Sequence, residues 1–331
     1  MSLECHATAK DRRGAVSLQP DAHAPAVGAK SFIARFRSPR LALTLAALFW
    51  SGNFVAGRAL RGQIDPVTLN FTRWLIAILV FAPFVWRGVR AKRAILRREW
   101  RLVAALGATG IAAFHTLNYF ALHTTSATNA LLVLSVAPIA ILGGAALVGF
   151  ERPNGRQALG MAVSVAGAAI LISRGDIETI YSGGFNSGDL WMLVSVAIWT
   201  AYSLLLRRRP ADLPQDVTLA ASIVVALVLL TPVVALAHAT DPAVFGSPPV
   251  LLGIGYLAVF ASVLAFLFWS FGVSQLGASR AGQFINLMPI FGAALAFPVL
   301  GEIPGPPQIV GAALVLCGIG IVERWRLTPW R

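Results

Sequence analysis

Arg73 lies inside the apolar run 67–86, where an ionised group is costly unless it faces protein or water. Asn70 shares its helix face at a spacing of i, i+3. The pair suits two chemistries: binding of an anion, or bracing of backbone carbonyls by a guanidinium that reaches toward the membrane interface. His115, Asn118 and Tyr119 follow at i, i+3, i+4 and put one polar stripe along the run 102–122. Such a stripe lines a cavity or supplies hydrogen bonds between helices, and His115 is the mid-run group that titrates near neutral pH. Pro138 and Pro289 each deprive a carbonyl of its helical partner, at Leu134 and Ile285. Each also follows a polar residue three positions earlier, Ser135 and Asn286. Backbone groups freed in this way can bind a ligand, and a packing kink is the plainer alternative. Gln283 stands one turn from Asn286 on the same face. Trp50 with Asn53, and Trp199 with Tyr202, occupy corresponding places inside two further runs and offer walls for a ligand with an apolar or cationic part. Trp269 is a third aromatic candidate, better suited to an interfacial belt.

The elements that would position these groups follow from composition. Hydrophobic residues make up 57% of the 331-residue chain and charged residues 12%, with a mean hydropathy of +0.72. Soluble domains are about half apolar and a quarter charged. The apolar residues come in blocks at 41–57, 67–86, 102–122, 126–149, 157–173, 188–206, 217–237, 250–273, 279–300 and 306–322. Each is close to the length a helix needs to cross about 30 Å of hydrocarbon. Lipid cannot satisfy backbone donors and acceptors, and the blocks lack the alternation of a barrel strand, so each should be an α-helix. The expected fold is an all-α integral membrane protein of ten transmembrane helices, with no soluble domain left over.

The net charge of +13 does not point to nucleic acid, because Lys and Arg cluster beside the ends of the blocks. With the amino terminus inside, 23 of the 27 basic residues fall on the cytoplasmic side. That asymmetry predicts a multi-pass protein of a bacterial-type inner membrane with both termini cytoplasmic. Residues 1–40 read as a disordered basic cytoplasmic tail and 323–331 as a short second tail. Cys5 and Cys317 are too different in setting to suggest a disulfide or a metal site, and no cofactor is expected. Glu151 and Glu302 sit at block ends, where capping or ion pairing is the expected role.

An internal repeat orders the blocks. Residues 121–173 align without a gap on 272–324 at an offset of 151, pairing Pro138 with Pro289, Glu151 with Glu302, Gly160 with Gly311 and Gly167 with Gly318. Leu41 to Trp50 lies over Leu190 to Trp199 at an offset of 149. Two five-helix repeats, 41–173 and 188–322, are expected, and an odd number of spans per repeat turns the second upside down, around a central cavity. The paired glycines on the fifth and tenth blocks predict close helix packing.

These residues resemble a known family. Phe49-Trp50-Ser51-Gly52-Asn53-Phe54-Val55, Phe71-Thr72-Arg73-Trp74 and the Gly149-Phe150-Glu151-Arg152 end of the fourth block are similar to the EamA-type branch of the drug/metabolite transporter superfamily. The second half repeats the pattern with Gly277-Ala278, Pro289 and Gly301-Glu302-Ile303-Pro304, although Ala-Ser-Arg at 278–280 replaces the Ala-Thr-Asn of the first half. The resemblance implies a basket-like bundle and transport of small metabolites, often export of amino acids or related compounds. Its partners would be a small-molecule solute and the lipid bilayer. No phosphate-cradling G-x-x-x-x-G-K-[ST] loop points to a nucleotide motor. The expected activity is secondary transport of a neutral or zwitterionic metabolite by alternating access. A multidrug or organic-cation exporter is the alternative, and an integral membrane enzyme a more distant one that lacks paired carboxylates or a metal cluster.

Overall fold

The computed structural model describes residues 38–150, 153–173, 175, 176, 178, 186–238, 247–276 and 283–323. Among these residues every regular element is a helix. Helix α1 is Pro39–Ala59 and α2 is Pro66–Ala91, followed by a short basic helix at Arg93–Arg98. Helix α3 runs without a break through Trp100–Leu106, a π-helical stretch at Gly107–Ala113, and Phe114–Thr124. Helix α4 is the pair Ala127–Leu134 and Ala137–Leu147, α5 is Gly155–Ser173, α6 is Ser187–Leu206 and α7 is Gln215–His238. Helix α8 repeats the α3 pattern, with a π stretch at Leu257–Leu264 between Pro248–Tyr256 and Ala265–Leu276. Helix α9 opens as a 3-10 turn at Gln283–Leu287 and continues over Met288–Leu300, and α10 is Pro306–Glu323.

The sequence sets the helix ends. Ser38 accepts from the Leu41 amide and Asp65 from those of Val67 and Thr68, each followed by a proline at the first helical position, whose missing N–H costs nothing there. Ser126 caps α4 and Asn186 caps α6 in the same manner. Gly301 ends α9 in the left-handed region at φ 69°, which a residue without Cβ adopts freely. Pro138 and Pro289 stand at the starts of new helical segments rather than in the middle of kinked ones. Near them the Ser135 hydroxyl donates to the Leu132 carbonyl, and the Ser51 hydroxyl of α1 to that of Met288 at 3.0 Å.

Among the described residues six helical stretches are long and apolar enough to cross a membrane: Pro66–Ala91, Trp100–Thr124, Ala127–Leu147, Ser187–Leu206, Gln215–Leu236 and Pro248–Trp269. Their outward faces expose large apolar side chains such as Leu79, Leu147, Val228, Leu236 and Leu252. In water that surface would drive association, whereas in lipid it needs no partner.

The packing is reciprocal. Helix α1 lies against α8 and α9, and α6 lies against α3 and α4. Helix α2 packs on α7, burying Trp74, Ala77 and Phe81 with Leu219 and Ile223. Helices α5 and α10 run antiparallel. A Cβ on Gly167 would come within 2.7 Å of the Gly311 carbonyl, and one on Gly318 within 2.5 Å of the Gly160 carbonyl. Ser164 fastens the same seam by donating to the Val315 carbonyl at 3.2 Å.

Candidate solute-binding site

At the centre of the bundle the Arg73 side chain is 1% exposed. Its Nε donates to Ser262 Oγ at 2.7 Å, and its Nη1 to Asn53 Oδ1 at 2.7 Å, to the Tyr119 hydroxyl at 2.8 Å and to His115 Nδ1 at 3.3 Å. The Tyr119 hydroxyl donates in turn to Asn53 Oδ1 at 3.0 Å. Ser262 gives its own proton to the Leu257 carbonyl at 2.9 Å, which turns its lone pairs toward the guanidinium. Arginine cannot accept, so a hydrogen bond at the His115 contact uses the tautomer with Nδ1 bare and the ring hydrogen on Nε2. Burying a guanidinium is costly, and three charged N–H groups shared among four neutral partners offset much of that cost.

The π stretches place these groups. Asn70 Nδ2 donates to the Ile111 and Ala112 carbonyls at 3.0 and 3.2 Å and to Thr116 Oγ1 at 3.0 Å, filling backbone acceptors that the π turn of α3 leaves open. Ser262 sits in the matching stretch of α8. Asn70 therefore braces the helix that presents His115 and Tyr119 and makes no bond to Arg73.

Buried and half-buried aromatic rings border the cluster. Trp199 packs on Phe114 with centroids 4.6 Å apart and on Tyr202 at 5.0 Å, and His115 lies 5.0 Å from Phe114 and 5.3 Å from Trp74. Trp74 continues to Phe266 at 6.4 Å, Phe266 to Trp50 at 5.9 Å, and Trp50 to Trp269 at 5.3 Å. The guanidinium carbon of Arg73 lies 4.9 Å from the Trp74 ring centre. Tyr202 rests directly on Gly110, where a Cβ would meet its ring at 2.3 Å.

Of the groups singled out in the sequence, Asn53, Arg73, His115 and Tyr119 thus form one hydrogen-bonded cluster, with Trp50, Trp199, Tyr202 and Trp269 along the ring wall. Asn118 is elsewhere: its Oδ1 accepts from Ser195 in the α3–α6 contact. Ser135 is turned into its own helix, Pro138 is exposed and Pro289 is buried. The side chains of Gln283 and Asn286, and all of Glu151 and 278–280, lie outside the described residues. Sequence reasoning passed over Ser262 and Trp74. A lone hydroxyl in the run 257–268, and a tryptophan adjoining the buried arginine, were the available signals.

A second polar cluster closes one end of the bundle. The Glu302 carboxylate, at the end of α9, accepts from the amides of Ala127 and Thr128 at 3.2 Å each and lies 3.6 Å from Arg58 Nε. Arg58 Nη1 donates to the Leu122 and His123 carbonyls at 2.6 and 3.0 Å, capping α3. Beside it the fully buried Asp189 carboxylate accepts from Thr125 and from Asn129 Nδ2, the latter at 2.6 Å. An acidic first-turn residue looks like an ordinary helix start in sequence, which hid this interhelical role.

An all-helical bundle with apolar outer faces and an ionised group held at its middle defines a multi-pass membrane protein with an internal polar site. The chain belongs to the EamA-like transporter family, whose model matches residues 38–173 and again 186–324. An uncharacterized transporter of Archaeoglobus fulgidus is 25% identical over 280 residues, 84% of this chain and 95% of that protein. A probable terminal-alkyne amino-acid exporter of Streptantibioticus cattleyicolor is 27% identical over 86% of this chain and 92% of its own. A probable biotin transporter of Pseudomonas aeruginosa is 25% identical over 84% and 96%. One crystal structure superposes with a TM-score of 0.58 at 23% identity, covering 88% of this chain and 99% of the other, a likeness of fold alone. The family and these relatives make the chain a membrane transporter with a small-molecule solute as its cargo.

Proposed function

We propose that this transporter exports an amino acid or related zwitterionic metabolite across a bacterial-type inner membrane, by alternating access of two inverted five-helix copies around the Arg73 cluster. The copies are 41–173 and 188–322. All of α1 to α10 cross the bilayer, and the tails 1–40 and 323–331 are cytoplasmic. The observation that carries this reading is the ownership of the site. Asn53, Arg73, His115 and Tyr119 come from the first copy and Ser262 from the second, so a shift between copies must change the bonds around the guanidinium. The antiparallel α5 and α10, and the reciprocal placing of α1 and α6, are what an inverted duplication produces. The basic asymmetry of the sequence puts the Arg58–Glu302 cluster at the periplasmic end, closed.

The solute class rests on the same cluster. One relative is named for an amino acid and another for biotin, and both solutes carry a carboxylate. Export of organic cations, the alternative, is opposed by the fixed charge of Arg73 in a cluster whose other members are neutral. Counterflow in liposomes of purified protein tests the reading. Labelled amino acids or related metabolites should accumulate transiently against an unlabelled internal pool. Counterflow of organic cations but of no amino acid or related metabolite would reverse the choice. Cells that overproduce the protein should enrich the same solute in the medium.

A further inference from the structure

The hydrogen-bond groups that the Arg73 cluster leaves unclaimed have one polarity. Nε and Nη1 of Arg73 are engaged, and Nη2 donates to no described residue. Asn53 turns its carbonyl oxygen to Arg73 and Tyr119, so its Nδ2 points away from both and donates to no described residue. With Nδ1 of His115 accepting, the hydrogen on Nε2 is unclaimed as well, and this side chain is only half-buried. Trp74 Nε1 is buried with no partner. All four are donors and one bears a full positive charge. Asn70 Oδ1, a buried acceptor with no partner, belongs to the side chain that braces the π turn of α3 and makes no bond to Arg73. The ion pairs among the described residues, Arg58 with Glu302 and Arg98 with Glu99, leave Arg73 without an acidic partner.

A buried cation ringed by neutral acceptors, with spare donors beside it, is half of an ion pair whose other half arrives with the ligand. We propose that the solute binds through a single carboxylate, received by Arg73 Nη2 and by the donors of Asn53 and His115 beside it, with its apolar part against the Trp50–Phe266–Trp74 rings. One fixed cation matches one negative charge, so a monocarboxylate or the carboxylate end of a zwitterion fits better than a phosphate ester carrying two. The assignment rests on the reading of the Arg73 cluster as the transport site and names the group that the solute must present there.

The test pairs each acid with its uncharged-headgroup amide: L-norvaline, L-phenylalanine and biotin against their primary amides. Binding to purified full-length protein in nanodiscs is followed by tryptophan fluorescence, and exchange by counterflow in liposomes. At least one acid should bind, and its amide should bind about tenfold to a hundredfold more weakly, the loss expected for one charge-assisted contact. Asn53→Asp, nearly isosteric and still an acceptor for Arg73 and Tyr119, would put a built-in carboxylate on the guanidinium. It should weaken acid binding by a similar factor, and by more than it weakens amide binding, since only the acid meets a like charge, in a variant that keeps its helical circular dichroism. Amides that bind as tightly as their acids, no binding by any acid, or an Asn53→Asp protein that binds acids like the wild type would each overturn the assignment. Acid binding without any counterflow would instead leave the anchor standing and remove the transport reading.

Discussion

At the scale of the residue, Arg73 combines two roles that are usually alternatives. Its Nε and Nη1 tie α2 to α1, α3 and α8, which is bracing, and its Nη2 is left over, which is available chemistry. His115 takes part as an acceptor through Nδ1. A proton carrier would have to gain and lose a proton at this atom while keeping its bond to an arginine, so obligatory proton coupling is not expected at this residue. Gln offers a carbonyl oxygen in place of Nδ1 and an amide in place of Nε2. His115→Gln should therefore keep counterflow within about threefold of wild type, a change under 1 kcal/mol. Exchange in both proteins should also persist without a pH gradient, with the potential clamped by potassium and valinomycin. Strict uphill accumulation driven by a pH gradient in both proteins would show that another group carries the proton.

At the scale of the element, the glycines of α5 and α10 set how closely the two helices approach. A methyl group on Gly318 would lie 2.5 Å from the Gly160 carbonyl oxygen, a backbone atom that cannot rotate aside. Gly318→Ala should lower stability by about 1–3 kcal/mol, the usual cost of overpacking. Gly143→Ala, with nothing within 4 Å of the added carbon, should cost nothing and gain up to about 1 kcal/mol from helix propensity. Thermal unfolding of the two variants in detergent compares them directly. This seam was legible in the sequence because the glycines recur at the same seven-residue spacing in both copies. The positions of the helices were legible for a similar reason: apolar length leaves lipid-embedded backbone little choice but helix. The π turns were not, because one extra residue in a turn changes hydrogen-bond register without changing composition. At Pro138 one helical segment ends and the next begins, a place that the fixed φ of proline suits as well as it suits a kink. Within the site, spacing along α3 placed His115 and Tyr119 on one face. It could not reveal that Asn118, on the same stripe, faces Ser195 of α6, since a stripe says nothing about which neighbour stands opposite each member.

At the scale of the whole molecule, the proposed ten crossings with both termini inside predict that reporter fusions after residues 95, 180 and 331 read cytoplasmic, periplasmic and cytoplasmic. A periplasmic signal at 331 would sink the inverted arrangement, because two five-helix copies of opposite orientation must return the chain to its starting side. The π turns bear on the same arrangement. An α-helix advances about 100° per residue, so a single additional residue rotates everything beyond it by roughly that angle. The stretches Gly107–Ala113 and Leu257–Leu264 occupy corresponding positions along α3 and α8, so both halves carry a like angular offset. The offset works as a timing mark. His115 and Tyr119 lie beyond it in one half and Phe266 and Trp269 beyond it in the other, so loss of one residue from either stretch would swing those side chains away from the centre as a set. Trimming a single copy would leave its backbone a better helix and the pair of copies out of phase, which ties the length of each half to that of its counterpart.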